Sequence, residues 1–379
     1  RAKPFAVAPL ERSELLEETS RVAKAARQWN VVLDAEADLG AMQLAEVGQR
    51  HTDSELRAIE ARWVLCLGPV ETSMLRKCVR SKSASIEHRI DAAYLAVRVA
   101  FEIGDFGLAH DAFDAVAPLM KSETGNVYHS LLQLIYNTSF GDRDFALSTA
   151  YTIKDALGSL DIGSQIRIAR NLGTAFCFLG HPRVGLKLHQ RYFDAARRLD
   201  LTQWAFDLAS NCCQALLNTE SFDQAEHWYR RAGELKRSGI GSTFEHVHVI
   251  CGLEIALHKG RPDDAMPLLA QLRNAAEGKS FRIKAHHMSV ETRVAQMDST
   301  YQCAEETIRE LGDLLELAIP LSCADGLIVA VGEALRRRGR TDEARRVLDK
   351  YLTNRRDRTP IPSEVLRLAR ACDFGLAGR

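Results

Sequence analysis

The chain has 379 residues, of which 46% are hydrophobic and 26% charged, a balance that argues against intrinsic disorder. Fifty basic residues match fifty acidic residues, so no net charge draws the whole chain to nucleic acid or to an anionic membrane. No run approaches eighteen apolar residues, which argues against a transmembrane helix.

Residues 1–85 are predicted to form helical pairs at the N-terminal end. Residues 10–29 and 31–47 make the first pair, with Asn30 between them. Residues 54–66 and 70–79 make the second pair, which we interpret as a degenerate repeat. The first pair is interpreted as a cap that covers the apolar end of a helical stack. Because the chain begins with Arg1 rather than Met, we expect it to be a piece of a longer protein.

From residue 86 onward a small residue recurs early in the second helix of each predicted helix pair. Successive copies are 37, 39, 40, 40 and 79 residues apart, and they are Ala109, Ala146, Gly185, Ala225, Ala265 and Ala344. The last interval is about twice 40, so a poorer copy is expected near Ala304. A period this constant indicates stacked helical repeats, because a single helix pair cannot bury its apolar face alone.

The turns between the paired helices have similar residues at corresponding positions. Gly lies five residues before the small residue in five of the six turns, at Gly104, Gly141, Gly180, Gly260 and Gly339. Gly favours a helix C-cap because it adopts a positive φ without steric cost. Asp, Ser or Thr in the same turns is predicted to cap the next helix. Ala or Gly at the small position is predicted to let the two helices approach closely.

Leu172-Gly173 with Phe176 on a first helix, and Phe222 just before Ala225, resemble the tetratricopeptide repeat. Val331-Gly332 is a looser match. The leading Trp of the family is absent, and the period exceeds the usual 34 residues. Such long repeats are similar to those in the helical signal-receiving domains of maltose-regulator-type bacterial transcription activators.

The resemblance implies an all-α fold, a right-handed superhelical solenoid of stacked αα-hairpins, over residues 86–358. Two prolines, Pro360 and Pro362, interrupt the pattern after residue 358. Residues 359–379 are then predicted to form a C-terminal cap, with Ser363 capping a short helix.

Enzyme motifs are missing from the sequence. It contains no phosphate-binding P-loop, no Gly-x-Gly-x-x-Gly, no His-Glu-x-x-His and no Gly-x-Ser-x-Gly, so we expect neither an enzyme nor a cofactor. His246 and His248 are two residues apart on a helix and point away from each other, which predicts no metal site. We interpret these histidines as surface or interhelical hydrogen-bonding residues. The nine cysteines form no Cys-x-x-Cys pair and are interpreted as reduced core thiols in a cytoplasmic protein.

The resemblance also implies that the first helix of each pair lines a concave binding groove. The predicted groove residues are Tyr94, Arg98, Phe101, Arg167, Arg170, Thr174, Phe178, Asp207, Ser210, Gln214, Asn218, Glu254, His258 and Glu333. Among them Arg167, Arg170, Gln214 and Asn218 are predicted to form a polar cluster for a peptide carboxylate or a small anionic effector. A solvated groove without a particular ligand is the alternative.

A second charged feature lies near the C-terminus, where basic residues cluster. Its core is Arg336, Arg337, Arg340 and Arg345. One interpretation is a basic patch that docks nucleic acid or an acidic partner. The other, which we favour, is a solvated face of the last repeat.

Three classes of function remain open. The favoured class is an interaction and sensing module that binds a peptide, a protein or a small effector and is attached to an output domain, which would carry any contact with nucleic acid. The second is a free-standing scaffold or chaperone-like adaptor, and the gene sequence upstream of Arg1 separates it from the first. The third is an enzyme with an acid/base pair hidden in the groove. Self-association into a homo-oligomer is compatible with each class.

Overall fold

The computed structural model describes residues 16–20, 23, 29–46, 52–64, 70–82, 84–103, 105–120, 127–140, 142–236, 245–276, 291, 294, 308–309, 321–354 and 363–373. Every regular element in these ranges is a helix. The poorer repeat predicted near Ala304 lies outside the described residues, as do Pro360 and Pro362.

The N-terminal helices are α1 (Trp29–Glu46), α2 (Thr52–Val64) and α3 (Thr72–Arg80). The predicted break at Asn30 is wrong, because α1 begins one residue earlier and continues through Asn30. An Asn inside a helix costs less than about 1 kcal/mol. The burial of Val32 and Leu39, both on α1, offsets that cost.

Hairpins of two helices follow, each with a first and a second helix packed along one another. In chain order the pairs are α4 (Ile86–Ile103) with α5 (Phe106–Met120), α6 (Val127–Phe140) with α7 (Arg143–Ala156), α8 (Ile162–Phe178) with α9 (Pro182–Arg198), α10 (Thr202–Leu217) with α11 (Phe222–Leu235), and α12 (Glu245–His258) with α13 (Pro262–Ala276). A last described pair, α14 (Leu321–Arg337) with α15 (Thr341–Asn354), precedes α16 (Ser363–Ala371).

The predicted forty-residue rhythm is present in the structure. All six small residues lie on second helices and are buried, as the sequence predicts. The fold is an all-α, right-handed superhelical solenoid of stacked αα-hairpins of the tetratricopeptide type. The hairpins from α4 to α11 share one continuous apolar core, to which Leu131, Phe176 and Phe206 contribute fully buried side chains.

The turns confirm the predicted role of Gly at the ends of the first helices. Gly180, Gly260 and Gly339 have φ of 85°, 63° and 73°. Glu220 occupies the same position in the turn without Gly and adopts φ of 56°, so the left-handed conformation is required there even at the steric cost of a side chain. Gly104 and Gly141 lie outside the described residues.

Side-chain caps begin some of the second helices. The Asp142 carboxylate accepts hydrogen bonds from the backbone N–H of Asp144 and of Phe145, at 2.8 and 3.1 Å. The Asp105 carboxylate accepts one from the N–H of Leu108 at 3.0 Å. The general prediction fails at Ser221, in the turn before α11, because its hydroxyl donates to the carbonyl of Thr219 and does not cap the helix.

Close helix packing explains the Leu-Gly pair on α8. A Cβ on Gly185 would lie 2.3 Å from the carbonyl oxygen of Gly173, and a Cβ on Gly173 would lie 2.3 Å from Nε2 of His189. Real Cβ atoms do not come that close to other atoms, so α8 and α9 require glycine at position 185, where the obstacle is backbone, whereas a Cβ on Gly173 would require the His189 ring to move. The prediction that a small residue lets paired helices approach closely is confirmed here.

Candidate binding groove

The first helices of consecutive hairpins lie side by side. α4 contacts α6, α6 contacts α8, α8 contacts α10, and α10 contacts α12. Among the described residues, the second helices α5, α7, α9 and α11 make no comparable contacts with one another. A stack whose first helices touch while its second helices are separated curves toward the first helices. We call the concave surface formed by α4, α6, α8, α10 and α12 the groove.

Arg167 of α8 lies at the centre of a mixed aromatic and charged cluster. Its guanidinium carbon lies 5.6 Å from the ring centroid of Tyr128 and 6.0 Å from that of Tyr94, within the range of cation–π attraction. Burial opposes the charge of Arg167, but the carboxylates of Asp91 and Glu60, with the two tyrosines, hold its pKa above the ordinary value. Helices α2, α4, α6 and α8 thus contribute to one site around a single cation.

Asn171 connects two hairpins that are not neighbours in sequence. Its amide nitrogen donates to the hydroxyl of Tyr94 on α4, at 3.0 Å, and to the carbonyl of Arg167, at 3.2 Å. The guanidinium of Arg98 lies 5.4 Å above the ring of Tyr94. Tyr94 is only 7% exposed, so this ring forms part of the floor of the groove. The bond from Asn171 fixes the orientation of that ring.

Arg170 and Asp207 form an ion pair between α8 and α10. Nε of Arg170 lies 3.2 Å from Oδ2 of Asp207, and the side chains are 12% and 2% exposed. The side-chain amide of Gln203 donates to Oδ1 of Asp207 at 3.2 Å, and Nη1 of Arg170 donates to Oδ1 of Asn171 at 3.4 Å. Removing one partner of such a buried pair costs about 3–5 kcal/mol, because the other charge is left uncompensated. The charge of Arg170 is therefore not freely available to a ligand.

The other two residues of the predicted polar cluster, Gln214 and Asn218, lie on or next to α10. Gln214 is partly exposed on α10, and Asn218 is exposed just beyond the end of that helix. From Asp207, the partner of Arg170, Asn218 lies eleven residues on, about 16 Å along the helix axis. Their grouping with Arg167 and Arg170 stays a prediction, and the contacts that the structure gives the two arginines are with Tyr94, Tyr128, Asn171 and carboxylates.

Three more of the predicted groove residues lie on α8 and α10. The hydroxyl of Thr174 donates to the carbonyl of Arg170 on its own helix, at 3.0 Å. The carbonyl of Phe178 accepts from Arg143 at 3.0 Å. Ser210 is 2% exposed. Ser210 is therefore buried beneath the surface of α10, whereas Thr174 and Phe178 on α8 are partly exposed.

Toward the C-terminal side of the groove the predicted residues are dispersed. Glu254 is partly exposed on α12. His258, at the end of α12, is exposed, and its ring stacks on that of Phe222. Glu333 on α14 is bound by Arg336, whose Nη2 lies 2.9 Å away. The side chain of Phe101 on α4 lies outside the described residues.

The basic patch near the C-terminus is largely neutralised by its own surroundings. Arg336 pairs with Glu333, Arg340 pairs with Glu343 at 2.7 Å, and Arg345 pairs with Asp342 at 3.0 Å. Arg345 also donates from Nε to the carbonyl of Cys372 at 2.6 Å. Arg337 is exposed at the end of α14. Such pairing favours the interpretation as a solvated face over a nucleic-acid patch.

Several histidines and cysteines of the described residues are buried. His246 and His248 are 4% and 6% exposed, so of their two interpretations the surface one is wrong and the interhelical one remains, and the ring of His248 on α12 stacks on that of Tyr229 on α11. Burial raises the pKa of the Cys177 thiol to about 12, which makes it unreactive.

Over the described ranges, no group of three or more His, Cys, Asp or Glu residues is placed to hold a metal ion. None of the described helices has the length and apolarity needed to cross a membrane.

The sequence did not predict four residues of the cluster around Arg167. These are Glu60, Asp91, Tyr128 and Asn171. Asp91 was detectable, since it precedes Tyr94 and Arg98 by three and seven residues and so shares a helix face with them. Asn171 carries no such signal, because its partner is 77 residues away. Glu60 belongs to the N-terminal helices, which were interpreted as a cap and a degenerate repeat.

No protein-family model matches the chain. No curated protein matches it either. Among solved structures, a Rap protein complexed with competence and sporulation factor is 13% identical, covers 96% of this chain and 99% of its own, and superposes with a TM-score of 0.60. The apo form of RapI is 8% identical, covers 92% and 98%, and gives a TM-score of 0.50. At these identities the likeness shows the fold alone.

Proposed function

We propose that this chain is a non-catalytic interaction and sensing module that binds a peptide or protein partner in its groove. The observation that carries the proposal is the convergence of charged and aromatic side chains from α2, α4, α6 and α8 around Arg167. Guanidinium groups, carboxylates and tyrosine rings at one place recognise peptide side chains by charge-assisted hydrogen bonds and by stacking. The Rap protein of similar fold was solved as a complex with competence and sporulation factor.

The same proposal gives the chain a place in a larger protein. The resemblance to maltose-regulator-type activators supports a bacterial, cytoplasmic transcription regulator whose attached domain contacts nucleic acid. In this arrangement residues 1–85 form the N-terminal helical pairs, residues 86–358 the repeats and residues 359–379 the C-terminal cap. Reading the gene upstream of Arg1 tests this assignment, and a reading frame without an attached domain contradicts it.

Binding in the groove is testable with a randomised peptide library displayed on phage and selected against the full chain. We expect enriched peptides to bind saturably in calorimetry, and Arg167→Gln to weaken them about tenfold or more, the scale of a lost charged hydrogen bond. Arg167→Lys keeps the charge but loses the planar contact with the tyrosines, so it should give an intermediate loss.

Arg198→Gln is the matched control, because Arg198 is exposed at the end of the second helix α9. Circular dichroism and thermal melting establish that each variant is folded. A selection that yields no saturable peptide overturns the proposal. Peptides that bind Arg167→Gln and Arg167→Lys as tightly as the unmodified chain also overturn it, since the binding would then lie elsewhere.

A further inference from the structure

Helix α9 carries a line of cations on the side of the molecule away from the groove. Arg183, Lys187 and Arg191 follow one another four residues apart, so they lie along one face of this second helix. All three residues are exposed. Four residues of helix rise about 6 Å, so the three charges span about 12 Å. We call these three residues the basic face of α9.

The charges of the basic face are not neutralised by the surrounding protein. Across residues 142–236, all of which are described, and the other described ranges, no carboxylate pairs with any of the three cations. The guanidinium of Arg191 lies 5.4 Å from the ring centroid of Tyr192, a contact that leaves its charge in place. The basic patch near the C-terminus differs, because most of its arginines pair with carboxylates.

The basic face is unfavourable for the helix that carries it. Like charges four residues apart on a helix repel each other. Arg183 also lies in the first turn of α9, where the helix dipole disfavours a cation and where no acidic residue compensates it. Arg197 and Arg198 are different, because they follow Asp194 and lie in the last turn, where the dipole favours cations. A line of charge that costs helix stability and is left unpaired by the described chain is typical of a functional surface.

The residues around the basic face fit a nucleic acid better than a protein or a membrane. The centre of a protein interface is depleted of charged residues, and a helix that lies on a membrane exposes an apolar face. On α9 the large apolar residues Leu188, Tyr192 and Phe193 are buried instead. Leu199 is 48% exposed, but it lies beyond the end of the helix, about 12 Å along the axis from Arg191. Contacts with phosphates need Lys and Arg without apolar neighbours.

We propose that the basic face of α9 binds the phosphate backbone of a nucleic acid duplex without reading its sequence. A duplex carries one charge per about 1.7 Å of its axis, so a line of cations about 12 Å long faces several phosphates at once. Single strands are bound through exposed aromatic rings, and Tyr192 and Phe193 are buried. This surface lies away from the groove, so the inference does not depend on the proposed peptide binding.

A neighbouring helix extends the basic face. The guanidinium of Arg231 on α11 lies 4.5 Å from the ring centroids of Phe193 on α9 and of Trp228. Arg231 is partly exposed, and it too has no carboxylate partner among the described residues. A duplex that lies across α9 and α11 can therefore meet a fourth cation.

The test is the salt dependence of binding to a fluorescein-labelled DNA duplex of mixed sequence, measured by fluorescence polarisation with the full chain. Three phosphate contacts give a slope of about −3 in a plot of log affinity against log salt concentration. The affinity should then fall about 40-fold between about 50 and 200 mM salt. A duplex of unrelated sequence should bind equally well.

Variants of Lys187 assign the contact. Lys187→Gln should make the slope shallower by about one, and Lys187→Arg should preserve it. Lys77→Gln is the matched control, because Lys77 is exposed on α3 and its loss changes the net charge equally. Urea unfolding separates function from structure: Arg183→Gln and Lys187→Gln should be at least as stable as the unmodified chain, since each removes repulsion within α9.

Several outcomes would overturn the proposal. Absence of duplex binding at low salt is one, and an unchanged slope in Lys187→Gln is another. An equal change in Lys77→Gln would show that binding follows net charge alone. A single strand of the same length, or a polyglutamate peptide of equal charge, that binds more tightly than the duplex would assign the face to a different partner. None of these results affects the peptide selection against the groove, which is a separate measurement.

Discussion

His189 and His248 are buried titratable residues that lie between neighbouring hairpins. Burial lowers the pKa of each from 6.5 to about 4, and the positive charges of Arg170 and Lys236, respectively, contribute to the lowering. His189 nevertheless keeps a hydrogen bond to the carbonyl of Arg170, at 3.2 Å. Both rings are thus neutral in the folded protein at pH values where the unfolded chain binds protons.

The fold should lose stability in mild acid for this reason. As the pH is lowered, the unfolded histidines gain protons below about pH 6.5, whereas the folded ones gain them only near pH 4. The free energy of unfolding therefore falls as the pH drops from about 6.5 to about 4. A shift of this size is worth about 3 kcal/mol per histidine. Urea unfolding at several pH values measures the free energy of unfolding. In His248→Phe this free energy should change less steeply with pH, because up to one proton fewer is taken up on unfolding.

His227→Gln is the control for that measurement, because His227 is exposed on α11. It should leave the pH dependence as it is in the unmodified chain. An unchanged pH dependence in His248→Phe as well would mean that this ring binds its proton equally in both states, contrary to its burial.

At the scale of the elements, helices α8 and α9 approach each other closely at two glycines. Gly173 and Gly185 face each other, and the backbone carbonyl of Gly173 lies where a Cβ on Gly185 would be. The imidazole of His189 fills the space next to Gly173. This contact sets the separation of two helices in the middle of the stack, and the groove residues Arg167 and Asn171 are carried on one of them.

Gly185→Ala should therefore destabilise the fold by about 1–3 kcal/mol, the usual cost of overpacking. Gly158, in the short 3₁₀ turn after α7, has open space where a Cβ would be, so Gly158→Ala should be neutral or slightly stabilising. Thermal and urea unfolding of the two variants measure the difference. Equal stability in both would show that α9 moves away from α8 without cost.

At the scale of the whole molecule, the bond between Asn171 and Tyr94 joins the first and third described hairpins across α6. Repeat proteins usually depend on contacts between nearest neighbours only. Here the charged and aromatic side chains around Arg167 also link α2, α4, α6 and α8. These helices should consequently unfold as one cooperative unit.

Native-state hydrogen exchange tests this cooperativity. In the unmodified chain we expect the slowest amides of α4, α6 and α8 to exchange with one common free energy of opening. Tyr94→Phe removes the bond to Asn171, so the values should separate and fall by about 0.5–1.5 kcal/mol on α4. Tyr192→Phe is the matched control, because its hydroxyl bonds to Gln165 within a single hairpin, at 3.0 Å. Separate values in the unmodified chain would contradict the prediction.

The fold was readable from the sequence because it repeats. Ala109, Ala225 and Ala344 are each buried on a second helix, so the period follows from a local steric requirement. The site was only partly readable. Helical spacing places Tyr94 and Arg98 on one face, but the pairing of Arg170 with Asp207 depends on the register between hairpins, which the sequence does not specify locally.

The link between Tyr94 and Asn171 also restricts how this protein can change in evolution. Arrays of this kind commonly grow and shrink by duplicating or deleting one unit. A unit gained between α4 and α8 would separate the two side chains by a further hairpin, and a loss of the α6–α7 unit would remove Tyr128, so either change dismantles the cluster around Arg167. The described residues of the cluster all lie on α2, α4, α6 and α8, so relatives that keep this site should keep the number of hairpins from α4 to α8.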